Sequence, residues 1–222
     1  MVILIGIATA LAAYLIGSIN TSIILSTRLT GEDIRNTGSG NAGTTNMLRT
    51  HGKKLAVITL IGDVLKGVVA VLLALLVDYL ASFIGTMSHI DSHILGSLPY
   101  IAGFFAVVGH NYPVFFGFKG GKGVATTLGV ILTLSPAVGG IALLVAVTIM
   151  ATTRYVSLGS IIGAGLYPLL LLAFWLGKGE IDVLSLVFAF LIAILIIVRH
   201  RSNIKRLLNH NENKLSFKKK ER

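Results

Sequence analysis

The chain has 222 residues, of which 54% are hydrophobic and only 13% are charged, and its mean hydropathy is +0.85. This composition indicates a protein of the lipid bilayer and excludes a disordered chain, while the absence of cysteine excludes a disulfide scaffold and a zinc-thiolate site. The net charge of +10 does not point to nucleic acid, because the positive residues lie between apolar runs rather than on one basic face.

Apolar runs that are long enough to cross a bilayer follow one another along the chain. About 20 such residues in a helix cross a hydrocarbon layer of about 30 Å. Five runs are plain, and they are Val2 to Leu25, Leu55 to Gly85, Ile94 to Val108, Tyr155 to Leu176 and Ile181 to Val198. A sixth, from Val124 to Thr153, is longer than one upright span requires and contains Pro136.

The positive residues decide how the sixth run is counted. Lys and Arg near the ends of spans favour the cytoplasm, and both the loop 28–54 and the tail from residue 199 are rich in them. One helix in the sixth run would place this loop and this tail on opposite sides, whereas two helices divided at Pro136 place both inside. The sequence therefore predicts an all-α bundle of about seven transmembrane helices. We expect a single domain, residues 1–222, with the N-terminus outside and the C-terminus cytoplasmic.

A glycine-rich segment, from Gly38 to Arg49, follows the first span. Gly38, Gly40 and Gly43 fit the G-x-G-x-x-G spacing of dinucleotide sites, but a Rossmann site needs a preceding strand, and a transmembrane helix precedes this segment. Glycines let successive backbone N–H groups converge on an anion, and Arg49 offers a bidentate fork for phosphate. A flexible turn between two spans fits the composition equally well.

The second glycine-rich segment, residues 109–127, contains Gly120-Gly121-Lys122-Gly123 directly before a predicted helix. Backbone N–H groups and a lysine at the positive end of a helix dipole suit an anion. The segment is not a P-loop, because Gly123 stands where that motif needs Ser or Thr. The aromatic residues of the segment are expected to be anchors at the membrane interface: Tyr112, Phe115, Phe116 and Phe118.

The third segment, from Arg199 to Leu208, leaves the last span. A basic tail is most often a topology signal or a patch for anionic lipid. His200 and Asn203 favour a site instead, because they share one face of a continuing helix.

Two charged residues, Asp63 and Lys66, lie within the second span and are able to pair on one helical face. Charges in a bilayer usually face the protein interior or a wet cavity. A structural ion pair and a contact from Lys66 to phosphate are both open interpretations.

Together, the three segments closely resemble the three cytoplasmic motifs of the bacterial acyl-phosphate:glycerol-3-phosphate acyltransferase family, the PlsY type. The first two segments match that pattern throughout, and the apolar organisation fits over nearly the whole chain. The third matches at His200, Asn203, Ile204, Arg206, Leu207 and Glu212, whereas His210 stands where the family has glycine. The resemblance implies a multi-pass enzyme of the bacterial inner (plasma) membrane whose active site faces the cytoplasm.

The resemblance also implies a reaction: transfer of an acyl group from acyl phosphate to the sn-1 hydroxyl of glycerol 3-phosphate. Lysophosphatidate and phosphate are the products, in bacterial phospholipid synthesis. No cofactor or metal is expected, and the implied partners besides the two substrates are membrane lipid and the soluble enzyme that makes acyl phosphate. The alternative is a small membrane transporter or lipid-binding scaffold for phosphorylated ligands, in which charges within spans mark a permeation path.

Site residues follow as hypotheses from the chemistry of the segments and from the resemblance. The expected catalytic residues are Ser39, Lys122, His200 and Asn203. Glycerol 3-phosphate is expected at Ser39, Arg49, Lys122, His200 and Asn203. Acyl phosphate is expected at backbone amides of Gly40, Gly43, Gly120, Gly121 and Gly123, with Asn41, Thr45 and Asn46. Lys66, His110 and Ser160 are expected on the same side, and the proton acceptor is open between His200, His110 and the donor's own phosphate.

Overall fold

A computed structural model describes residues 2–83 and 96–215 of the chain. Its helices are α1 (Val2–Ser18), α2 (Thr21–Thr30), α3 (Thr44–His51), α4 (Lys53–Phe83), α5 (Leu98–Asn111), α6 (Val124–Leu134), α7 (Pro136–Thr153), α8 (Val156–Lys178), α9 (Val183–Arg199) and α10 (Arg201–Leu208). Short 3-10 turns lie at Ile34–Asn36 and Val114–Phe116. The described ranges hold no strand, so the all-α prediction is confirmed for them. The predicted limits at Gly85 and Ile94 lie outside these ranges.

Several helices are long and apolar enough to cross a membrane. Within the described ranges, four candidates stand alone: Ile3–Thr30, Lys53–Ala81, Pro136–Thr153 and Val156–Lys178. Helices α9 and α10, which meet at a bend of 60°, form a fifth candidate. The chain is therefore a helical protein of the membrane with several spans. Helix α6 has 11 residues and rises only about 16 Å, half of a hydrocarbon layer.

The sixth apolar run is divided as the sequence predicted. Helix α6 ends at Leu134, Ser135 is non-helical, and α7 begins at Pro136. Proline fits the first position of a helix because no helical partner is needed for the N–H that it lacks. Helix α7 packs against α6 and against α8.

The first apolar run contains a break that the sequence analysis did not foresee. Helix α1 ends at Ser18, and the Asn20 side chain caps α2 by accepting a hydrogen bond from the N–H of Ile23 at 3.2 Å. A Cβ on Gly17 would lie 2.1 Å from the carbonyl oxygen of Ala106. The backbones of α1 and α5 therefore touch just before the break, which only glycine permits at that position.

The three glycine-rich and basic segments meet at one end of the bundle, which we call the loop end. It comprises residues 31–43, 112–123, 154–155 and 200–215. The Arg35 guanidinium donates to the carbonyl oxygens of Phe116 at 2.6 Å and Lys119 at 3.1 Å, and so ties the first loop to the second. The N–H of Leu215 donates to the carbonyl oxygen of Arg154 at 2.7 Å. The first loop, the second loop and the tail thus lie at one end of the bundle.

The aromatic residues of the second loop divide into two groups. Tyr112, Phe115 and Phe118 are exposed, as residues that anchor a loop in lipid would be. Phe116 instead packs against the buried cluster around Ile34 and Met47. It therefore holds the 3-10 turn onto the first loop.

Candidate active site

A cavity of about 370 Å³ opens at the loop end and continues into the bundle. Its mouth is polar, and its deeper walls are apolar and come from α6, α7, α8 and α9. The mouth is lined by Ser39, Asn41, Gly43, Thr44, Thr45, Arg49, Lys122, Gly123, His200, Asn203, Arg206 and Glu212. This division suits a ligand with a charged head and a long apolar tail.

Asn46 holds the first glycine-rich loop in shape. Its Oδ1 accepts a hydrogen bond from the N–H of Ser39 at 2.9 Å, and its Nδ2 donates to the carbonyl oxygens of Ile34 at 3.1 Å and Thr37 at 3.0 Å. Gly38 has φ +59, and a Cβ there would lie 2.3 Å from Asn46 Oδ1. Asn46 and Ser39 both line the cavity. Because the amide of Asn46 is buried and bonded within the loop, Asn46 also supports the shape of the loop.

Two helix N-termini direct backbone N–H groups into the mouth. In α3 the N–H groups of both Asn46 and Met47 reach the carbonyl oxygen of Gly43 at 3.1 Å, and those of Thr44 and Thr45 precede the helical hydrogen-bond pattern. In α6 the first N–H group that reaches back is that of Thr127, at 2.8 Å from the Gly123 oxygen. Each first turn therefore offers N–H donors and a positive dipole end to an anion.

Four of the glycine amides expected to bind phosphate already have backbone partners. The N–H groups of Gly40 and Gly43 donate to Thr37 and Asn41, each at 3.0 Å, and those of Gly120 and Gly121 donate to Asn111 at 3.2 Å and His110 at 3.1 Å. Gly40, Gly120 and Gly121 also lie outside the cavity lining, whereas Gly43 and Gly123 belong to it. The neighbouring helix N-termini supply the N–H groups that these glycines do not.

Arg199 fixes the second glycine-rich loop. Its Nε and Nη2 donate to the carbonyl oxygen of Gly121 at 3.1 and 2.8 Å, and its guanidinium lies 5.1 Å from the ring centroid of Tyr112. A Cβ on Gly121 would lie 2.1 Å from His110 Nε2 and 2.5 Å from the carbonyl oxygen of Ala42. The second loop therefore passes directly against α5 and the first loop, and only glycine fits there.

A chain of polar side chains joins the second loop to the tail. The Lys122 ammonium donates a short hydrogen bond to Asn203 Oδ1, and Asn203 Nδ2 donates to Glu212 Oε1 at 2.9 Å. The other carboxylate oxygen of Glu212 accepts from Arg206 Nε at 2.8 Å. Burial first, and then the charge of Arg206, lowers the pKa of Lys122 to about 8. Glu212 thus orients Asn203, although the residue expected before it in the family pattern is replaced.

His200 lies between α9 and α10 and is 3% exposed. Its Nδ1 lies 2.8 Å from the carbonyl oxygen of Ile196, which can only accept, so the ring proton is on Nδ1 and the lone pair of Nε2 is free to accept. Burial, with a smaller contribution from the charge of Lys122, lowers the pKa of His200 to about 4. His200 is therefore an uncharged hydrogen-bond acceptor near neutral pH.

Lys66 forms an ion pair that extends to a histidine. Its Nζ lies 2.9 Å from Asp63 Oδ1 and 2.7 Å from His110 Nδ1, and it donates to the carbonyl oxygen of Ile19 at 3.1 Å. Lys66 lies outside the cavity lining, whereas Asp63 and His110 belong to it. Because an ammonium only donates, His110 accepts through Nδ1 and carries its proton on Nε2, beside Gly121.

Arg49 and Ser160 line the cavity from two other elements. Arg49 lies on α3, is exposed, and donates through Nη2 to the carbonyl oxygen of Asn213 at 3.4 Å. Ser160 lies on α8, where its Oγ donates to the carbonyl oxygen of Val156 at 2.9 Å. Two further lining residues, Thr44 and Tyr167, were not predicted from the sequence, whereas Asp63 and Arg206 had been noted without a site role. Thr44 was recognisable as the first helical residue after Gly43.

Comparisons of the sequence and of the structure with known proteins agree on one protein family. A family model described as glycerol-3-phosphate acyltransferase matches residues 7–210. Proteins named glycerol-3-phosphate acyltransferase from Clostridioides difficile and Thermoanaerobacter pseudethanolicus are 45% and 47% identical to this chain, in each case over 96% of this chain and 97% of the relative. The crystal structure of PlsY, an integral membrane glycerol 3-phosphate acyltransferase, in its glycerol 3-phosphate form has a TM-score of 0.78 and 41% identity, covering 95% of this chain and 96% of that one. Its lysophosphatidic acid form has a TM-score of 0.75 and 39% identity, covering 96% of each chain.

Proposed function

The chain belongs to the glycerol-3-phosphate acyltransferase family, and we propose that its cavity brings acyl phosphate and glycerol 3-phosphate together for direct transfer. The enzyme acylates the sn-1 hydroxyl of glycerol 3-phosphate and forms lysophosphatidate, a step of bacterial phospholipid synthesis. The observation that carries the proposal is one cavity with a cationic and amide-rich mouth and an apolar interior. Such a cavity accommodates two phosphates and one alkyl chain at the same time.

Glycerol 3-phosphate occupies the side of the mouth that carries the cationic side chains. Lys122 and Arg49 line this side and contribute charge-assisted hydrogen bonds to its phosphate. Ser39 and Asn203 position the glycerol, and Nε2 of His200 accepts a hydrogen bond from the sn-1 hydroxyl. The Glu212 carboxylate supports this arrangement by holding Asn203.

Acyl phosphate occupies the side built from the two helix N-termini. The N–H groups of Thr44 and Thr45 in α3 and of Val124 and Ala125 in α6 are available to its phosphate, with Asn41 nearby. Its acyl chain extends into the apolar part of the cavity, past Ser160. The contribution to acyl phosphate binding is indirect for three predicted residues, which hold the loops in shape: Asn46, Gly120 and Gly121.

The reaction needs positioning more than a strong base. The sn-1 oxygen attacks the acyl carbonyl carbon, the bond between that carbon and the phosphate oxygen breaks, and the departing phosphate takes the hydroxyl proton. An acyl phosphate has a good leaving group, so orientation and stabilisation of charge lower the barrier. The donor's phosphate serves as the base, because His200, with a pKa near 4, holds a proton weakly.

The enzyme is a single domain of the bacterial inner membrane, and its loop end faces the cytoplasm. Seven helices, α1 and α4 to α9, are embedded in the membrane, and the N-terminus lies outside. This orientation is supported by positive residues of the loop end, such as Arg35, Lys122 and Arg206, and by Arg49 on the adjoining helix α3. The soluble enzyme that makes acyl phosphate then delivers it from the same side as glycerol 3-phosphate.

A direct assay tests this function. The purified protein in detergent, given acyl phosphate and glycerol 3-phosphate, is expected to release phosphate and form lysophosphatidate in equal amounts. Glycerol in place of glycerol 3-phosphate is the control and gives no product, because it lacks the group that Lys122 and Arg49 bind. Acyl-CoA as the donor gives none either. Binding of both phosphorylated compounds without phosphate release supports the transporter or scaffold alternative.

The pH dependence of kcat/KM distinguishes the roles of Lys122 and His200. Lys122 binds phosphate as an ammonium, so kcat/KM is expected to fall as the pH rises through about 8, the lowered pKa of Lys122. Lys122→Arg removes this fall, since arginine stays charged. His200 is neutral at pH values well above about 4, so His200→Gln is expected to leave the shape of the profile between about pH 6 and 8 unchanged. If the wild-type profile has an inflection that the His200→Gln profile lacks, His200 is the group that takes up the proton. Our assignment of the donor's phosphate as the base is then wrong.

A further inference from the structure

The apolar part of the cavity ends at one level on all four helices that line it. The deepest lining residue is Ile131 on α6, Ala142 on α7, Tyr167 on α8 and Ala189 on α9. From Val156, where α8 joins the lining at the mouth, to Tyr167 the helix rises about 16 Å. The cavity is therefore a pocket with a floor rather than a passage through the bundle.

A compact cluster closes the pocket at this level. The four deepest lining residues pack with Val138 and Leu171 into one buried cluster. Tyr167 is 5% exposed and has the largest of the four side chains. Ala142 and Ala189 contribute only methyl groups. The phenol ring is therefore the main obstacle below the pocket, with Leu171 one turn beyond it on α8.

The hydroxyl of Tyr167 fixes the ring in place. Tyr167 Oη lies 2.8 Å from Ser135 Oγ. Ser135 Oγ donates its single hydrogen to the carbonyl oxygen of Ile131 at 3.3 Å, so it accepts from Tyr167. A tyrosine hydroxyl in an apolar setting needs such a partner. Ser135 lies in the break between α6 and α7, where the chain direction is set by Pro136, and it gives the ring a rigid attachment.

We propose that Tyr167, held by Ser135, ends the acyl pocket and sets the length of acyl chain that the enzyme prefers. This inference rests on the proposed function, in which the pocket holds the acyl chain of the donor. Each methylene group buried in an apolar pocket strengthens binding about fourfold. Acyl carbons beyond the length that reaches the Tyr167 ring are not buried in the pocket and add no binding energy. The value of kcat/KM therefore rises with chain length only until the pocket is full.

The test compares acyl phosphates of graded chain length with the wild type and with Tyr167→Ala in detergent. Removal of the ring is expected to move the optimum to longer chains and to raise the ratio of kcat/KM between long and short donors about 15-fold, the gain from two further buried methylenes. Tyr167→Phe keeps the ring and is expected to keep the wild-type optimum. If Tyr167→Ala does not fold, Tyr167→Leu, which fills less of the floor, is expected to shift the optimum in the same direction.

Tyr79→Ala is the matched control, because Tyr79 is a tyrosine of α4 that is 65% exposed and lies outside the cavity lining. It is expected to leave the length profile unchanged. An unchanged long-to-short ratio in a folded, active Tyr167→Ala or Tyr167→Leu enzyme overturns the inference. Absence of turnover with every acyl phosphate in the wild type contradicts the proposed function instead, so the two failures are distinguishable.

Discussion

Replacement of Lys122 by alanine is expected to lower kcat/KM for glycerol 3-phosphate by about 10²- to 10³-fold. The Lys122 ammonium is largely buried at the cavity mouth and bonded to Asn203, so we expect it to meet the substrate phosphate away from bulk water, where a charge-assisted hydrogen bond is strong. The loss also leaves Asn203 Oδ1 without its donor. Steady-state rates of phosphate release at varied glycerol 3-phosphate measure the effect.

The same loop supplies a matched control in Lys119, which is exposed and lies outside the lining of this cavity. Lys119→Ala removes the same charge from the same loop and is expected to change kcat/KM by less than about threefold, as a solvated surface charge would. Equal losses from Lys119→Ala and Lys122→Ala would mean that the overall charge of the loop, and not a specific contact, attracts the substrate.

Replacement of Lys66 by methionine is expected to destabilise the protein by about 3 to 5 kcal/mol in the free energy of unfolding. The substitution keeps the bulk of the side chain but leaves the Asp63 carboxylate, which is 1% exposed, without its counter-ion. The melting temperature in detergent is expected to fall by roughly 10 °C. Thermal unfolding of the purified variant measures this change.

Two further variants isolate the cause. Asp63→Asn combined with Lys66→Met removes both charges and is expected to recover most of the lost stability, since the penalty arises from the unpaired carboxylate. Lys54→Met changes an exposed lysine at the start of the same helix and is expected to have almost no effect. If the double variant is as unstable as Lys66→Met alone, the ion pair with Asp63 is not the source of the effect.

Much of this architecture is predictable because bilayer constraints are strong. The length of the run from 124 to 153, the presence of Pro136 and the positive charge of the flanking segments together predicted two helices, and the structure has them. The same charge argument predicted that the Gly38 and Gly120 segments lie on the same side, and in the structure Arg35 joins their loops.

The contacts within the site were beyond the reach of sequence patterns. The amides of Gly120 and Gly121 are bonded to carbonyl oxygens at the end of α5, because the loop 112–119 folds back on itself, and the glycine pattern alone does not show this turn. Lys66 was ambiguous because helical spacing identifies Asp63 as a partner but cannot reveal His110, which lies on another helix. Tyr167 carried no signal at all, because within a continuous apolar run periodicity does not show which face borders a cavity.

The half-length of α6 has a consequence for the lysophosphatidate that is made. Its rise of about 16 Å matches the thickness of one leaflet of the hydrocarbon layer, and the pocket ends at the same depth. In the orientation that we propose, a newly acylated molecule therefore stands with its headgroup at the membrane surface and its tail parallel to the surrounding lipids. It can therefore enter the surrounding leaflet without turning over or carrying its charge through the hydrocarbon interior.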